Sequence, residues 1–190
     1  MPRPRNDSQK PKARSALIES FWELLAEEPF QSISVRELCR RAKVNKNTFY
    51  YHFENIEGLA QVAVDSALFR ELGALLLSAE TVNKGSIAKL MATPEMRLKA
   101  YRAGVLLSPN GVALRDMTIQ RIMNVWCDLL DEAPIEDDRL LHMRFLAGGL
   151  LSVLSGHKAQ EFPLILSRLG EFEGMAMLVN SFRDEPKPQA

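Results

Sequence analysis

The sequence predicts an all-α protein. Apolar residues recur at helical spacing, first in the series Leu17, Phe21, Leu24 and Leu25. Several prolines stand at or near the start of later helical patterns, where a missing N–H costs little: Pro94, Pro109, Pro134 and Pro163. No segment alternates apolar and polar residues between turn dipeptides, as strands of a sheet do. Together these observations predict helices throughout the chain.

Length and composition agree with a folded protein. The chain has 190 residues, of which 46% are hydrophobic and 25% charged, so it can form one sizeable domain or two small ones. The uncharged run 145–156 has only 12 residues, fewer than the roughly 20 that span a bilayer. No apolar block follows the charges of the N-terminus, so we expect no secretory signal and a cytoplasmic protein.

The N-terminal part is expected to hold four helices. The first starts at Arg14 and ends at Pro29, and the second follows Ser34, an N-cap with Glu37 as its capping-box partner. Asn45 caps a third, short helix that runs to Phe53. The fourth extends over 56–77, and later helices are predicted at 82–92, 94–107, 109–132, 136–158 and 163–182.

Charge is distributed unevenly along the chain. Residues 1–53 contain ten basic and six acidic residues, a net charge of +4, and the remainder carries −4. This asymmetry is compatible with a polyanion partner at the N-terminus, and equally with a solvated tail. We expect a flexible basic arm over 1–11 and a disordered tail over 184–190.

Residues 34–53 have the pattern of a helix-turn-helix, whose second helix enters the DNA major groove. Apolar residues hold the two short helices together, while Lys46, Asn47, Thr48, Tyr50, Tyr51 and His52 face outward. Lysines and hydroxyls suit phosphate oxygens, and Asn pairs with an adenine edge. The alternatives are that the tyrosines pack on the fourth helix, and that His52 caps its helix.

The stretch from Ser34 to Phe53, SVRELCRRAKVNKNTFYYHF, closely resembles the DNA-binding domain of tetracycline-repressor-like (TetR) transcriptional regulators. Its ending, Thr48 to Phe53, is the most specific part, and the resemblance covers about residues 12–65. It implies an N-terminal three-helix DNA-binding domain at 12–55 and a C-terminal helical bundle at 56–183, for ligand binding and dimerisation. It also implies contacts with DNA by Ser34, Arg36, Asn45, Lys46, Asn47, Thr48, Tyr50, Tyr51 and His52.

Two positions depart from the family pattern. The family usually has Gly at the turn, where this chain has Lys43, and often Lys at the start of helix four, where Ile56 or Glu57 stands here. A left-handed Lys43 would carry a strain of about 1–2 kcal/mol. The second departure removes one expected phosphate contact.

The resemblance also implies a two-fold dimer joined through the last two long helices. Small and apolar residues there make up the predicted interface: Gly148, Gly149, Ser152, Phe172, Met175 and Val179. Burial within one subunit is the alternative. A ligand pocket in the C-terminal part is implied as well, with Tyr101, Arg102, Met123 and Trp126 as candidates and the protein core as the alternative reading of them.

No enzyme motif is present, and neither a metal nor a cofactor is expected. Cys39 and Cys127 match no zinc or redox spacing, so both are interpreted as buried thiols. The prediction is a homodimeric repressor that a small-molecule effector releases from a palindromic operator in double-stranded DNA. The alternatives are an all-α ligand-binding or enzymatic domain without DNA binding, and a DNA-binding activator.

Overall fold

A computed structural model of the chain describes residues 9–67, 70–71, 73–74, 84–130, 137–155, 157, 161–174, 177 and 180. Within these ranges every regular element is a helix, so the all-α prediction is confirmed. The N-terminal elements are α1 (Gln9–Glu27), a 3₁₀ turn (Phe30–Ser32), α2 (Val35–Arg41), α3 (Lys46–His52) and α4 (Ile56–Asp65).

The C-terminal elements follow from residue 84. They are α5 (Lys84–Leu90), α6 (Pro94–Leu107), a 3₁₀ helix (Pro109–Leu114), α7 (Arg115–Leu130), α8 (Asp137–Leu154) and α9 (Phe162–Gly170). The bounds of α6 are those that the sequence predicts. Thr93 caps it by accepting a hydrogen bond from the Met96 N–H, and Pro94 occupies the first turn.

Side-chain caps start α2, α3 and α4. Ser34 Oγ accepts from the Glu37 N–H at 3.2 Å, and Asn45 Oδ1 accepts from the Thr48 N–H at 2.8 Å. Asn55 Oδ1 accepts from the Gly58 N–H at 2.7 Å. Each cap satisfies one of the free N–H groups at a helix start, so these short helices begin at defined residues.

The buried apolar side chains form one continuous cluster from Leu17 to Leu166. Helix α1 supplies Leu17, Phe21 and Leu25, all with 0% exposure, and packs against α2, α3, α4 and α6. Helix α4 in turn contacts α7. The N-terminal helices therefore pack directly against the C-terminal helices.

Two N-terminal predictions differ from the structure. Helix α1 begins at Gln9 rather than Arg14, so residues 9–11 of the expected flexible arm are helical. Pro11 lies in the first turn, where its missing N–H breaks no helical hydrogen bond. The remainder of that arm, the tail 184–190 and Pro134 lie outside the described residues.

The predicted fourth helix, 56–77, is interrupted at Ser66. The Ser66 Oγ donates to the Ala63 carbonyl at 2.7 Å, and its N–H bonds to Ala63 and Val64, so α4 ends there. Residues 70–71 and 73–74 are helical again, and the rest of 68–77 lies outside the described residues.

Two later helices that the sequence predicts as continuous are interrupted in the structure. The segment 109–132 begins as a 3₁₀ helix and becomes α-helical only at Arg115, and 163–182 is broken at 171–172 after α9. At Gly111 an added Cβ would lie 2.1 Å from the Leu106 carbonyl oxygen. This close backbone approach turns the chain sharply between α6 and α7.

Candidate nucleic-acid interface

Helix α3 has a buried apolar side and an exposed polar side. Phe49 is fully buried, and its ring meets Tyr50 edge-on with centroids 5.3 Å apart. The Tyr50 and Tyr51 side chains remain 57% and 65% exposed. The alternative in which both tyrosines are buried against α4 is therefore wrong.

Three of the residues predicted to bind DNA have a local structural role as well. Ser34 and Asn45 are the caps of α2 and α3, and Asn45 Oδ1 also accepts from the Thr48 hydroxyl at 3.0 Å. Because the Thr48 hydroxyl is committed to this bond, it has no proton left to donate to DNA. Ser34 and Asn45 themselves are exposed.

The basic residues of α2 fall into two groups. Arg41 binds both carboxylate oxygens of Glu27, at 2.9 and 2.8 Å, and Arg40 Nε donates to Glu37 at 2.9 Å. These hydrogen bonds hold the pKa of the Glu27 and Glu37 carboxyls below its usual range. Arg36 is exposed, and none of the described carboxylates forms an ion pair with it. Its positive charge is the one on α2 that no ion pair offsets.

Lys43 adopts the left-handed conformation at the turn, with φ of 55°. The Val44 N–H bonds to the Cys39 carbonyl at 3.0 Å, and the Lys43 N–H bonds to the Arg40 carbonyl at 3.3 Å. This pair of bonds is the Schellman motif, whose left-handed position favours glycine. The turn therefore keeps the geometry implied by the family's Gly, and Lys43 occupies it with strain.

Lys46 and Asn47 complete the exposed polar surface of α3. His52, the last residue of α3, is half-buried, with its ring 4.9 Å from the Tyr51 ring. The Arg14 guanidinium lies 5.6 Å from the Phe53 ring centroid and joins α1 to the end of α3. Sequence reasoning missed this last contact, since the two residues are far apart along the chain.

At the start of α4, Ile56 is half-buried and Glu57 is exposed. Neither is a lysine, so this chain lacks the expected positive charge there. Cys39 is buried, and burial raises the pKa of its thiol, whereas Cys127 is only partly buried, contrary to expectation.

The residues predicted at a dimer interface lie on the outer part of α8 and beyond α9. Gly148, Gly149 and Ser152 are on α8, and no neighbouring atom lies within 4 Å of a Cβ built at either glycine. On the same side, Leu141 is 64% and Phe145 is 67% exposed. Phe172 is exposed, and Met175 and Val179 lie outside the described residues.

The four residues predicted to line a pocket have different environments. Tyr101 is 49% exposed, whereas Met123 and Trp126 belong to the buried core. A cavity near the end of α6 is lined by none of the four. No cluster of metal-ligating side chains occurs in the described ranges, and no helix described there is long and apolar enough to cross a membrane.

Arg102, the fourth of the predicted pocket residues, connects α6 to the N-terminal helices. Its guanidinium donates to Glu19 Oε1 at 2.5 Å and to Ser66 Oγ at 3.3 Å, and lies 5.6 Å from the Trp22 ring centroid. Glu19 and Trp22 are on α1, and Ser66 ends α4. Two further ion pairs, Arg121–Asp65 and Lys99–Glu71, join α7 and α6 to the region of α4.

Two capped short helices, a Schellman turn and an exposed polar-aromatic second helix define a helix-turn-helix DNA-binding protein. The family model described as "Bacterial regulatory proteins, tetR family" matches residues 17–63. Residues 17–63 therefore form a DNA-binding domain of the tetR-family type, and the predicted helix-turn-helix at 34–53 lies within this match. The match runs from α1 into α4, past the expected domain boundary at 55.

Proposed function

We propose that the protein is a homodimeric transcriptional repressor that binds a palindromic operator and leaves it when a small molecule binds. It acts in the cytoplasm and catalyses no reaction. The observation that carries the proposal is the exposed polar-aromatic face of α3 within a domain that matches a family of regulatory proteins. If α3 served only to pack against other helices, its two tyrosines would be expected to be buried, whereas both are exposed beside Lys46 and Asn47.

Helix α3 is assigned to the major groove. Lys46 and Asn47 lie in its first turn and are exposed, and these side chains pair with guanine and adenine edges respectively. Tyr50 and Tyr51, one turn later, are placed to donate their hydroxyls to phosphates. Thr48 has its hydroxyl proton engaged by Asn45, so we assign it methyl contact or hydrogen-bond acceptance only.

Phosphate contacts around α3 are assigned to Arg36, Ser34, Asn45, Lys43 and His52. Arg36 and Lys43 are exposed basic residues: Arg36 lies in the first turn of α2, and Lys43 lies in the turn that follows its C-terminal end. Arg40 and Arg41 are assigned no DNA contact, because Glu37 and Glu27 already bind them. Positive charge is thereby concentrated beside α3 rather than spread over α2.

The second copy of the chain is assigned to the outer side of α8. Leu141, Phe145, Gly148 and Ser152 recur at spacings of three and four residues and form one stripe of the helix. A stripe with two exposed large apolar residues and open space above its glycines favours another helix at close range. Two-fold pairing there sets two copies of α3 to meet successive major grooves, about 34–36 Å apart.

Release by a ligand requires that the C-terminal helices are mechanically connected to the DNA-binding helices. Arg102, Arg121 and Lys99 supply three such connections, and the continuous core supplies the rest. A ligand that prefers a different packing of the C-terminal helices therefore changes the position of α3, because only differential affinity for two states shifts an equilibrium.

The test is a salt series of binding to the duplex immediately upstream of the gene's own start, with a shuffled duplex of equal length for comparison. We expect at least about a thousandfold preference for the upstream duplex and an affinity that falls linearly in log salt. Equal and weak binding of the two duplexes would contradict an operator at that place.

A matched pair of lysine variants locates the interface. Lys46→Ala should weaken operator binding by about tenfold and reduce the salt slope by about 1. Lys89→Ala removes an equally exposed lysine on α5 and should change neither. Equal effects of the two variants would leave only nonspecific charge attraction. A promoter fusion then separates repression from activation by the sign of the change in transcription.

A further inference from the structure

A cavity of about 170 Å³ lies between the end of α6, the 3₁₀ helix Pro109–Leu114, the start of α7 and the end of α8. Its wall is mainly apolar and includes Leu106, Val112 and Leu151. An apolar cavity of about 150 Å³ holds one benzene molecule, so this space fits a single ring or a short branched chain. The volume therefore suits the buried part of a small ligand.

The hydroxyl groups of the wall already donate to the protein backbone. Ser108 Oγ donates to the Val105 carbonyl at 2.7 Å, Thr118 Oγ1 to Leu114 at 2.9 Å, and Ser155 Oγ to Ser152 at 3.0 Å. These three side chains therefore have no proton left for an occupant, although their oxygens still accept hydrogen bonds. A donor for the polar end of a ligand must come from another lining residue.

Arg115 supplies that donor. Among the described lining residues it is the one with a charged side chain, and it lies at the first position of α7 and is exposed. Among the described residues no carboxylate pairs with its guanidinium. A guanidinium presents paired N–H groups that match the two oxygens of a carboxylate. An apolar space with a single unpaired cation at its edge is complementary to a small amphipathic anion.

We propose that this cavity binds a small monocarboxylate whose apolar body is one aromatic ring or a short branched chain, with its carboxylate on Arg115. The inference rests on the proposed function, in which such a ligand is the effector. This cavity is lined by none of the residues predicted for a pocket, Tyr101, Arg102, Met123 and Trp126.

The position of the cavity connects an occupant to the DNA-binding helices. The 3₁₀ helix that forms part of its wall contacts both the 3₁₀ turn Phe30–Ser32 and α1. At Gly111 this wall packs backbone to backbone on Leu106 of α6. The 3₁₀ helix is therefore in close contact with the end of α6, and α6 also carries Arg102 with its hydrogen bond to Glu19. A bound ligand that shifts the 3₁₀ helix would therefore also shift the surface against which α1 packs.

The experiment measures binding of benzoate, hexanoate, benzamide and benzylamine to the full-length protein by calorimetry. At least one of the two carboxylates should bind, and benzoate should bind at least about tenfold more tightly than benzamide or benzylamine, because charge-assisted hydrogen bonds are the stronger ones. Failure of both carboxylates to bind up to about 10 mM would overturn the proposal. The proposal would also be overturned if benzamide bound as tightly as benzoate, or if benzylamine bound more tightly than benzoate.

Two variants assign the binding to this cavity. Arg115→Gln should lose about tenfold in benzoate affinity, while Arg115→Lys keeps the charge and should lose less. Ser155→Leu projects an apolar side chain into the space and should weaken all four probes alike. Benzoate affinity that is unchanged in both Arg115→Gln and Ser155→Leu would place the binding elsewhere and overturn the proposal.

Operator affinity measured with and without benzoate separates this inference from the proposed function. Arg115-dependent benzoate binding that leaves operator affinity unchanged supports the site and contradicts ligand release. Intact operator preference in a protein that binds neither carboxylate overturns the site and leaves DNA recognition standing.

Discussion

Helices α3 and α8 both expose aromatic side chains, but the two exposed surfaces differ in their chemistry. On α3 the exposed rings are Tyr50 and Tyr51, which carry hydroxyls and stand beside Lys46 and Asn47. On α8 the exposed ring is Phe145, which stands beside Leu141 and two glycines and offers no hydrogen bond. Exposure is similar in the two places, so the difference in polar atoms is the reason that we assign a hydrated polyanion to α3 and another apolar surface to α8.

The largest effect on dimerisation and operator binding is expected from a charge placed on the α8 stripe. Leu141→Glu should abolish dimers, because a dimer would bury an unpaired carboxylate, and should weaken operator binding at least about a hundredfold. Sedimentation equilibrium and operator titration measure the two effects. Leu98→Glu, at an exposed leucine on α6, is the control and should change neither. A dimeric Leu141→Glu protein would show that the two copies meet elsewhere.

Truncation on α3 is expected to have the next largest effect. Tyr50→Ala and Asn47→Ala should each weaken operator binding by about 1–3 kcal/mol, or roughly tenfold to a hundredfold, with thermal stability nearly unchanged. Tyr101→Ala removes a tyrosine of similar exposure on α6 and should leave DNA affinity intact. If the three variants bind the operator equally, α3 is not the recognition helix.

The two surfaces act together only if the helices between them are firmly connected, and Arg102 tests this. Arg102→Met removes its hydrogen bonds to Glu19 and Ser66 and its contact with the Trp22 ring. Unfolding free energy should fall by about 1–2 kcal/mol, since Arg102 is buried while Glu19 is half exposed. A double-mutant cycle with Glu19→Gln isolates the pair, and additive effects would mean that the ion pair contributes nothing.

Substitutions at Lys43 test whether the left-handed residue of the α2–α3 turn is strained. Lys43→Gly relieves the left-handed strain but adds freedom to the unfolded chain, so stability should rise by about 0.5–1 kcal/mol. Lys43→Gln removes only the charge and should not stabilise. Any loss of operator affinity common to both variants measures the contact of Lys43 with phosphate. A Gly variant with lowered melting temperature would contradict the strain assignment.

The smallest effect is expected from acid. Hydrogen bonds from Arg41 and Arg40 lower the pKa of Glu27 and Glu37 in the folded protein. Their stabilisation is therefore present above the unfolded pKa of 4.5 and is lost as pH falls below it through the lower, folded pKa. Melting temperatures of the native protein should decline over this range by slightly more than those of Arg41→Gln. Parallel profiles would show that the Glu27 pair has no energetic role.

By itself the sequence determined those features that depend on a few neighbouring residues. The caps at Ser34 and Asn45, the bounds of α6 and the outward face of α3 follow from local hydrogen bonding and from helical spacing. The possibility of a left-handed Lys43 came from the resemblance, since the family usually has Gly at this turn, and the structure has Lys43 in that conformation.

Tertiary structure alone decided the features that join distant parts of the chain. Arg102 meets Glu19 across 83 positions, and Arg41 meets Glu27 across 14, so no local pattern distinguishes them from solvated charges. A cavity has no sequence signal, because its shape depends on how four separate elements meet.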